Sequence, residues 1–144
     1  MNLTRLIYAS VARTGMDYAE LTSILRTAGE HNAAQGITGI LCVGNGAFLQ
    51  ALEGDRDVVN RLYNRIIPDP RHSQCTILRY GRIVSRSFNE WSMKLVGLDD
   101  QPTANRRALV LRHSGRADFE PLEMSGAQAF AFLEELALVE RRAA

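Results

Sequence analysis

"GITGILCVGNGAFLQALEG", residues 36–54, reads as two strands folded back on a tight turn. The "GNG" within it is a strong hairpin signal, because Asn-Gly tolerates the positive φ that a two-residue connection needs. In the second strand Phe48, Gln50 and Leu52 face one way, and Leu49 and Ala51 the other. Gln50 is the anomaly: an amide amid apolar neighbours costs about 1–3 kcal/mol if it is buried without partners.

Upstream, "RLIYAS" (5–10) is a short strand bounded by "RTGMD". Leu6, Tyr8 and Ser10 share one of its faces, Ile7 and Ala9 the other. A helix follows from about Asp17, with Leu21, Ile24, Leu25, Ala28 and Asn32 at helical spacing. That stripe ends in an asparagine where an apolar residue was due. Downstream, Asp55 is placed to cap a helix that turns Val58, Val59, Leu62 and Ile66 inward. "PDPRH" ends it, since proline removes a donor and restricts its predecessor. "CTILRYGRIV" (75–84) is a fourth strand and "WSMKLVGL" (91–98) a fifth, with Trp91, Met93 and Leu95 alternating against Ser92, Lys94 and Val96.

The order βαββαββ predicts an α+β fold: a ferredoxin-like mixed sheet with an added fifth strand and both helices on one face. In the tail, residues 102–113 read as a helix, although "ALVL" also permits a strand. After the loop "GRADFEPLE", Ser125 caps a second helix carrying Phe130, Leu133, Leu136 and Ala137 on its inner stripe. These tail helices are expected to cover the face formed by Ile7, Ala9, Leu49 and Ala51.

A chain of 144 residues, 46% hydrophobic and 23% charged, has room for one domain with a real core. Its net charge of +1 offers no broad attraction to nucleic acid or anionic lipid, although "RR" occurs at 106–107 and 141–142. The N-terminus lacks the apolar run of a signal peptide, and no segment reaches the length of a membrane span. A soluble, cytoplasmic chain is expected. Cys42 and Cys75 lie in separate strands and read as small buried hydrophobes.

Three polar residues resist explanation as packing. Tyr8, Gln50 and Asn32 are each acceptable singly as satisfied core polar groups. Together they could converge between the helices and the sheet. Other chemistries find little support. His31, His72 and His113 show no metal-ligand spacing with the cysteines. No phosphate loop is present. Ser10 lacks an evident His/Asp arrangement, Asp99 and Asp100 read as a solvated loop end, and Glu53 as an exposed strand terminus. Trp91 and Met93 read equally well as core. RNA-recognition domains of this strand order carry basic, glycine-rich aromatic motifs that are missing here. Acylphosphatases of the same order have a glycine-rich loop around an arginine, and Arg13 in "ASVARTG" lacks it.

Taken together, "RLIYAS", "HNAAQGITGILCVGNGAFLQALEG", "PDPRH" and "FNEWSMKLV" resemble the BLUF family, blue-light sensors using flavin, from about Leu3 to Leu98. The tail is similar to that of short BLUF proteins, in which two helices follow the sheet. The resemblance implies a flavin held non-covalently between the two helices and the sheet: FAD, with FMN or riboflavin as alternatives. It makes Tyr8 and Gln50 the photoactive pair and Asn32 a hydrogen-bond partner of the ring edge. Light-driven electron and proton transfer from Tyr8 would be followed by rearrangement of Gln50, which adds a hydrogen bond to the flavin's C4 carbonyl and moves absorption slightly to the red. Trp91 and Met93 match residues that relay the change, and either could face the pocket.

Phe48, Ile24 and Ile66 are expected as pocket walls by parity and helical phase. Asp69, Arg71 and His72 match the segment bordering the flavin. Arg65 is a candidate for the phosphate tail, and His31 falls where the family varies. The implied organisation is a sensor domain at 1–98 and a helical extension at 99–144. It would be a non-enzymatic photoreceptor signalling through the fifth strand and tail helices to a homo-oligomer or a separate downstream protein, without nucleic acid or membrane. Two alternatives are a light-independent flavin oxidoreductase and a ligand-free interaction module.

Overall fold

The computed structural model describes residues 1–99 and 103–143, without the side chains of Tyr18 and residues 24–27. Strands β1 (Leu3–Ala12), β2 (Thr38–Gly44), β3 (Ala47–Asp55), β4 (His72–Arg82) and β5 (Lys94–Gly97) form one sheet in the order β4-β1-β3-β2-β5. Neighbours are antiparallel except β2 and β5, which run parallel. Helices α1 (Tyr18–Ala34) and α2 (Arg56–Ile66) make the ferredoxin-like crossovers; α3 (Ala104–Ser114) and α4 (Gly126–Ala143) follow. The expected α+β architecture is present.

The hairpin forms as its sequence requires. Asn45 and Gly46 carry φ of 49° and 68°, the positive values of a type I′ turn, and Gly44 pairs with Ala47 across it. That register sets Leu41 opposite Gln50, while Tyr8 of β1 lies opposite Gln50 from the other side. Gln50 therefore sits in the central strand, flanked on both edges.

Period-two alternation divides the core into two layers. Leu6, Tyr8, Leu52, Val59 and Tyr63 pack between sheet and α2, with Leu21, Leu41 and Phe48 beside them. On the opposite face Ile7, Ala9, Ile40, Cys42, Leu49 and Ala51 pack against Leu109, Val110, Phe132, Leu133, Leu136 and Ala137 of α3 and α4. The tail helices thus cover the predicted face. Asp17 caps α1, accepting from Glu20 N at 2.7 Å. At α4, Ser125 Oγ accepts from Gln128 N at 3.1 Å while Gln128 Oε1 accepts from Ser125 N at 2.8 Å, a reciprocal capping box.

Five expectations need correction. Asp55 precedes α2 but makes no side-chain cap; its Oδ1 accepts from Asn2 N at 3.1 Å, tying down the N-terminus instead. The fourth strand begins earlier, at His72. The fifth begins only at Lys94, so Trp91 and Met93 precede it and their common parity is lost. Phe130 packs against the α3–α4 core but is only half-buried there, its ring 4.3 Å from the Arg5 guanidinium and 5.1 Å from that of Arg79. Glu53 has no exposed surface. It accepts from Arg5 Nε, Ser87 N and Phe88 N, each at 2.9 Å, so the β4–β5 connection closes over a strand end that looks open in linear sequence. The expectations for the Ile24 and Leu25 side chains, for Asp100 and for a helix start at Pro102 lie outside the described residues.

Candidate functional site

Tyr8, Asn32 and Gln50 converge. They line a cavity of about 170 Å³ whose walls come from the sheet, α1, α2 and the segment entering β5. The phenol of Tyr8 donates through Oη to Oε1 of Gln50 in a short hydrogen bond. Gln50 then donates through Nε2 to Met93 Sδ at 3.3 Å. Both ends of one amide are engaged, its acceptor by a phenol and its donor by a weakly accepting thioether. Asn32 donates through Nδ2 to the carbonyl oxygen of Ser92 at 3.2 Å, and its Oδ1 takes no partner among the described residues. Burial pushes the Tyr8 phenol far above the ordinary tyrosine range, with smaller contributions from Cys75, Tyr63 and Asp69, so it holds its proton.

Behind Tyr8 stands His72. Its Nε2 lies 2.7 Å from the carbonyl oxygen of Ile66 and its Nδ1 2.8 Å from Ser10 Oγ. A carbonyl only accepts, so Nε2 carries the hydrogen, and a neutral ring then accepts from Ser10 at Nδ1. Ser10 therefore has a histidine partner that its sequence context did not reveal. With a backbone carbonyl as third member, and with Ser10 fully buried, this is a tie between β1 and the end of α2 rather than a nucleophile relay. Arg71 grips Asp69 through Nε at 2.8 Å, its backbone N at 2.9 Å and a short Nη2 contact. Their hydrogen bonds hold the Asp69 carboxyl below the ordinary range.

Phe48, Ile66, Asp69, Arg71, His72 and Met93 also line this cavity. His31 and Arg65 do not. Arg65 Nη2 lies 3.3 Å from His31 Nε2 in a separate depression shared with Gln35, Arg61 and Asn64. Trp91 turns to the opposite face and packs with the α3–α4 layer, leaving Met93 alone at Gln50. Leu41, Met16, Leu21, Ala28 and Leu62 complete the lining. Leu41 was legible from the hairpin, as Gln50's cross-strand partner. Met16, in the loop before α1, gave no signal.

Apolar walls with a few convergent donors and acceptors suit a planar heteroaromatic, whose faces need apolar contact and whose edge carries N–H and C=O groups. Asn32, a 3% exposed residue on the cavity wall whose Oδ1 takes no partner among the described residues, suits such an edge. A flavin ring meets these terms. Residues 3–94 match the family described as BLUF, sensors of blue-light using FAD.

The chain belongs to the BLUF family.

Its BLUF region is 44% identical over 92 residues to the photoactivated adenylate cyclase subunit beta of Euglena gracilis, covering 63% of this chain and 11% of that protein. It is 32% identical over 96 residues to the blue light- and temperature-regulated antirepressor BluF of Escherichia coli K12, covering 67% of this chain and 24% of the relative. The chain thus spans about a tenth of the length of the photoactivated cyclase subunits it matches. Solved BLUF structures extend further. BlsA in its photo-activated state superposes with a TM-score of 0.83 at 34% identity over 94% of both chains. BlrB in its dark state gives 0.75 at 30% identity over 96% of this chain and 97% of its own. The family match ends at residue 94, the likeness to BlsA and BlrB covers nearly the whole chain, and members of the family are blue-light flavin sensors.

Proposed function

We propose that this chain senses blue light through a non-covalently bound FAD and signals by rearranging the Tyr8–Gln50–Met93 hydrogen-bond chain. The observation that carries the reading is the Gln50 amide, engaged at both ends on the wall of a cavity suited to a flavin. Asn32 Oδ1 and the Asp69–Arg71–His72 segment would hold the ring edge, with Phe48 and Ile66 as walls. Arg65 and His31, in the neighbouring depression, would face the phosphate tail. BlrP1 from Klebsiella pneumoniae, described with FMN, is 32% identical, which makes FMN the first competitor to test.

A bound flavin excited by blue light supplies a strong oxidant. Tyr8 would give that oxidant an electron and pass its Oη proton along the short bond to Gln50 Oε1. An amide that takes a proton at oxygen and passes one from nitrogen to the group that took the electron, or a neutral amide that turns over, exchanges its donor and acceptor ends with no change of net charge. If the amide turns over, Oε1 faces Met93 Sδ and a thioether has no hydrogen to offer it; if it tautomerises, the nitrogen keeps a single hydrogen, which either leaves or stays with Met93. Where that bond is lost, Met93 is released, and with it the segment that leads into β5. The output passes through β5 and the helical extension at 99–144 to a second copy or a separate protein, while 1–98 does the sensing. The chain is proposed to act in the cytoplasm as a sensor rather than a catalyst; among the described residues, no helix is long and apolar enough to cross a membrane.

Visible spectra before, during and after blue illumination test this. A flavin band that moves slightly to the red and returns in darkness is expected in the wild type, and neither Gln50→Leu nor Tyr8→Phe should show it. A shift that persists in both variants would overturn the assignment, and turnover of a substrate in darkness would replace it with oxidoreductase chemistry.

A further inference from the structure

The segment Ser87–Met93 is gripped from both faces of the sheet. Towards the cavity, Met93 Sδ accepts from Gln50 and the Ser92 carbonyl from Asn32. Away from it, α4 holds the same segment. Arg141 donates through Nη2 to Ser87 O at 2.6 Å and to Glu90 Oε1 at 3.1 Å, and pairs through Nε with Glu90 Oε2. Its guanidinium carbon stands 5.4 Å from the Trp91 ring centroid. Between the two grips, Gly39 N donates to Trp91 O at 3.0 Å and pins the segment to the strand beside Gln50.

A cation in the last turn of a helix is favoured by the helix dipole in any case. That gives no reason for a fork bonding a backbone carbonyl and a carboxylate three residues apart, a geometry that suits arginine and that lysine cannot reproduce. Nor does the ion pair contribute much to stability, since both side chains are about a third exposed. What the fork fixes is position.

We propose that Arg141 is a positioning residue for the cavity: by holding Ser87, Glu90 and Trp91 from the α4 side, it sets where Met93 stands against Gln50. The inference rests on reading this cavity as the sensor site.

The test uses the whole purified protein in darkness, with ¹³C-labelled methionine methyl groups and the Met93 resonance assigned by Met93→Leu. Arg141→Gln is expected to shift the Met93 methyl by more than a linewidth, while Met16 in the cavity wall and Met124 in the α3–α4 layer stay in place. Arg141→Lys, which keeps the charge but cannot bond Ser87 O and Glu90 together, should displace Met93 as well. An unmoved Met93 in Arg141→Gln overturns the proposal. So does a shift shared with Met16 and Met124, which would mark general loosening. Because no light is used, this failure is distinct from that of the photoreceptor reading, which would appear as a wild-type flavin band that never moves.

Discussion

Glu53 gathers the Arg5 guanidinium and two backbone N–H groups on a carboxylate with no exposed surface. Removing one partner of a buried pair leaves the other charged and unmatched, which costs about 3–5 kcal/mol. Glu53→Ala should therefore lower stability by that order in urea unfolding, and should free the connection that carries Met93. Its linear context shows none of this, because the groups that bury it lie more than thirty positions downstream. Tyr8, Gln50 and Asn32 were legible for the opposite reason: each interrupts a local apolar pattern, and periodicity sets each on one face with apolar neighbours. Asp69 gives a pH prediction. Its carboxyl is held low chiefly by hydrogen bonds from Arg71, so the associated stability is complete above the ordinary carboxylate range and is lost as pH falls through the lowered value. Asp69→Asn should be less stable than wild type at neutral pH, and the two unfolding midpoints should converge in acid.

Elements are held apart by the width of a hydrogen atom at two glycines. A Cβ on Gly39 of β2 would stand 2.1 Å from Ala51 O and 3.1 Å from Met93 Cε, and one on Gly126 of α4 would stand 2.3 Å from Leu78 O. Backbone oxygens cannot step aside as a side chain can. Gly39→Ala and Gly126→Ala are each expected to cost about 1–3 kcal/mol, read as a lowered melting temperature. Gly39→Ala should also disturb the light-induced band shift through Met93, whereas Gly126→Ala should leave it intact. Strand alternation and helix stripes located most elements from sequence. The start of β5 escaped, since "WSMK" alternates like a strand while its backbone is committed elsewhere: Trp91 O accepts from Gly39 N, and Trp91 N contacts Phe88 O.

Across the whole molecule, sensor and extension share one core. Ile7, Ala9, Ile40, Leu49 and Ala51 are sealed by α3 and α4. A chain ending at residue 98 is expected to expose that face and aggregate or precipitate on expression, as sedimentation of the truncated product would show. The tail's role as a cover was legible from the apolar parity of β1 and β3, but its grip on the β4–β5 connection through Arg141 was not, because it depends on where two distant surfaces meet. The two layers also differ in their thiols. Cys42 lies wholly within the α3–α4 layer, whereas Cys75 is half-buried on the side covered by α2, 3.6 Å from His72, and no disulfide joins them. Burial raises both thiols above the ordinary cysteine range, so neither is a ready nucleophile at neutral pH. The protein therefore carries its own pair of clocks. Alkylation of Cys75 would time local opening beside the cavity, and alkylation of Cys42 would time separation of the tail from the sheet, so one labelling experiment in light and darkness could show which layer yields first.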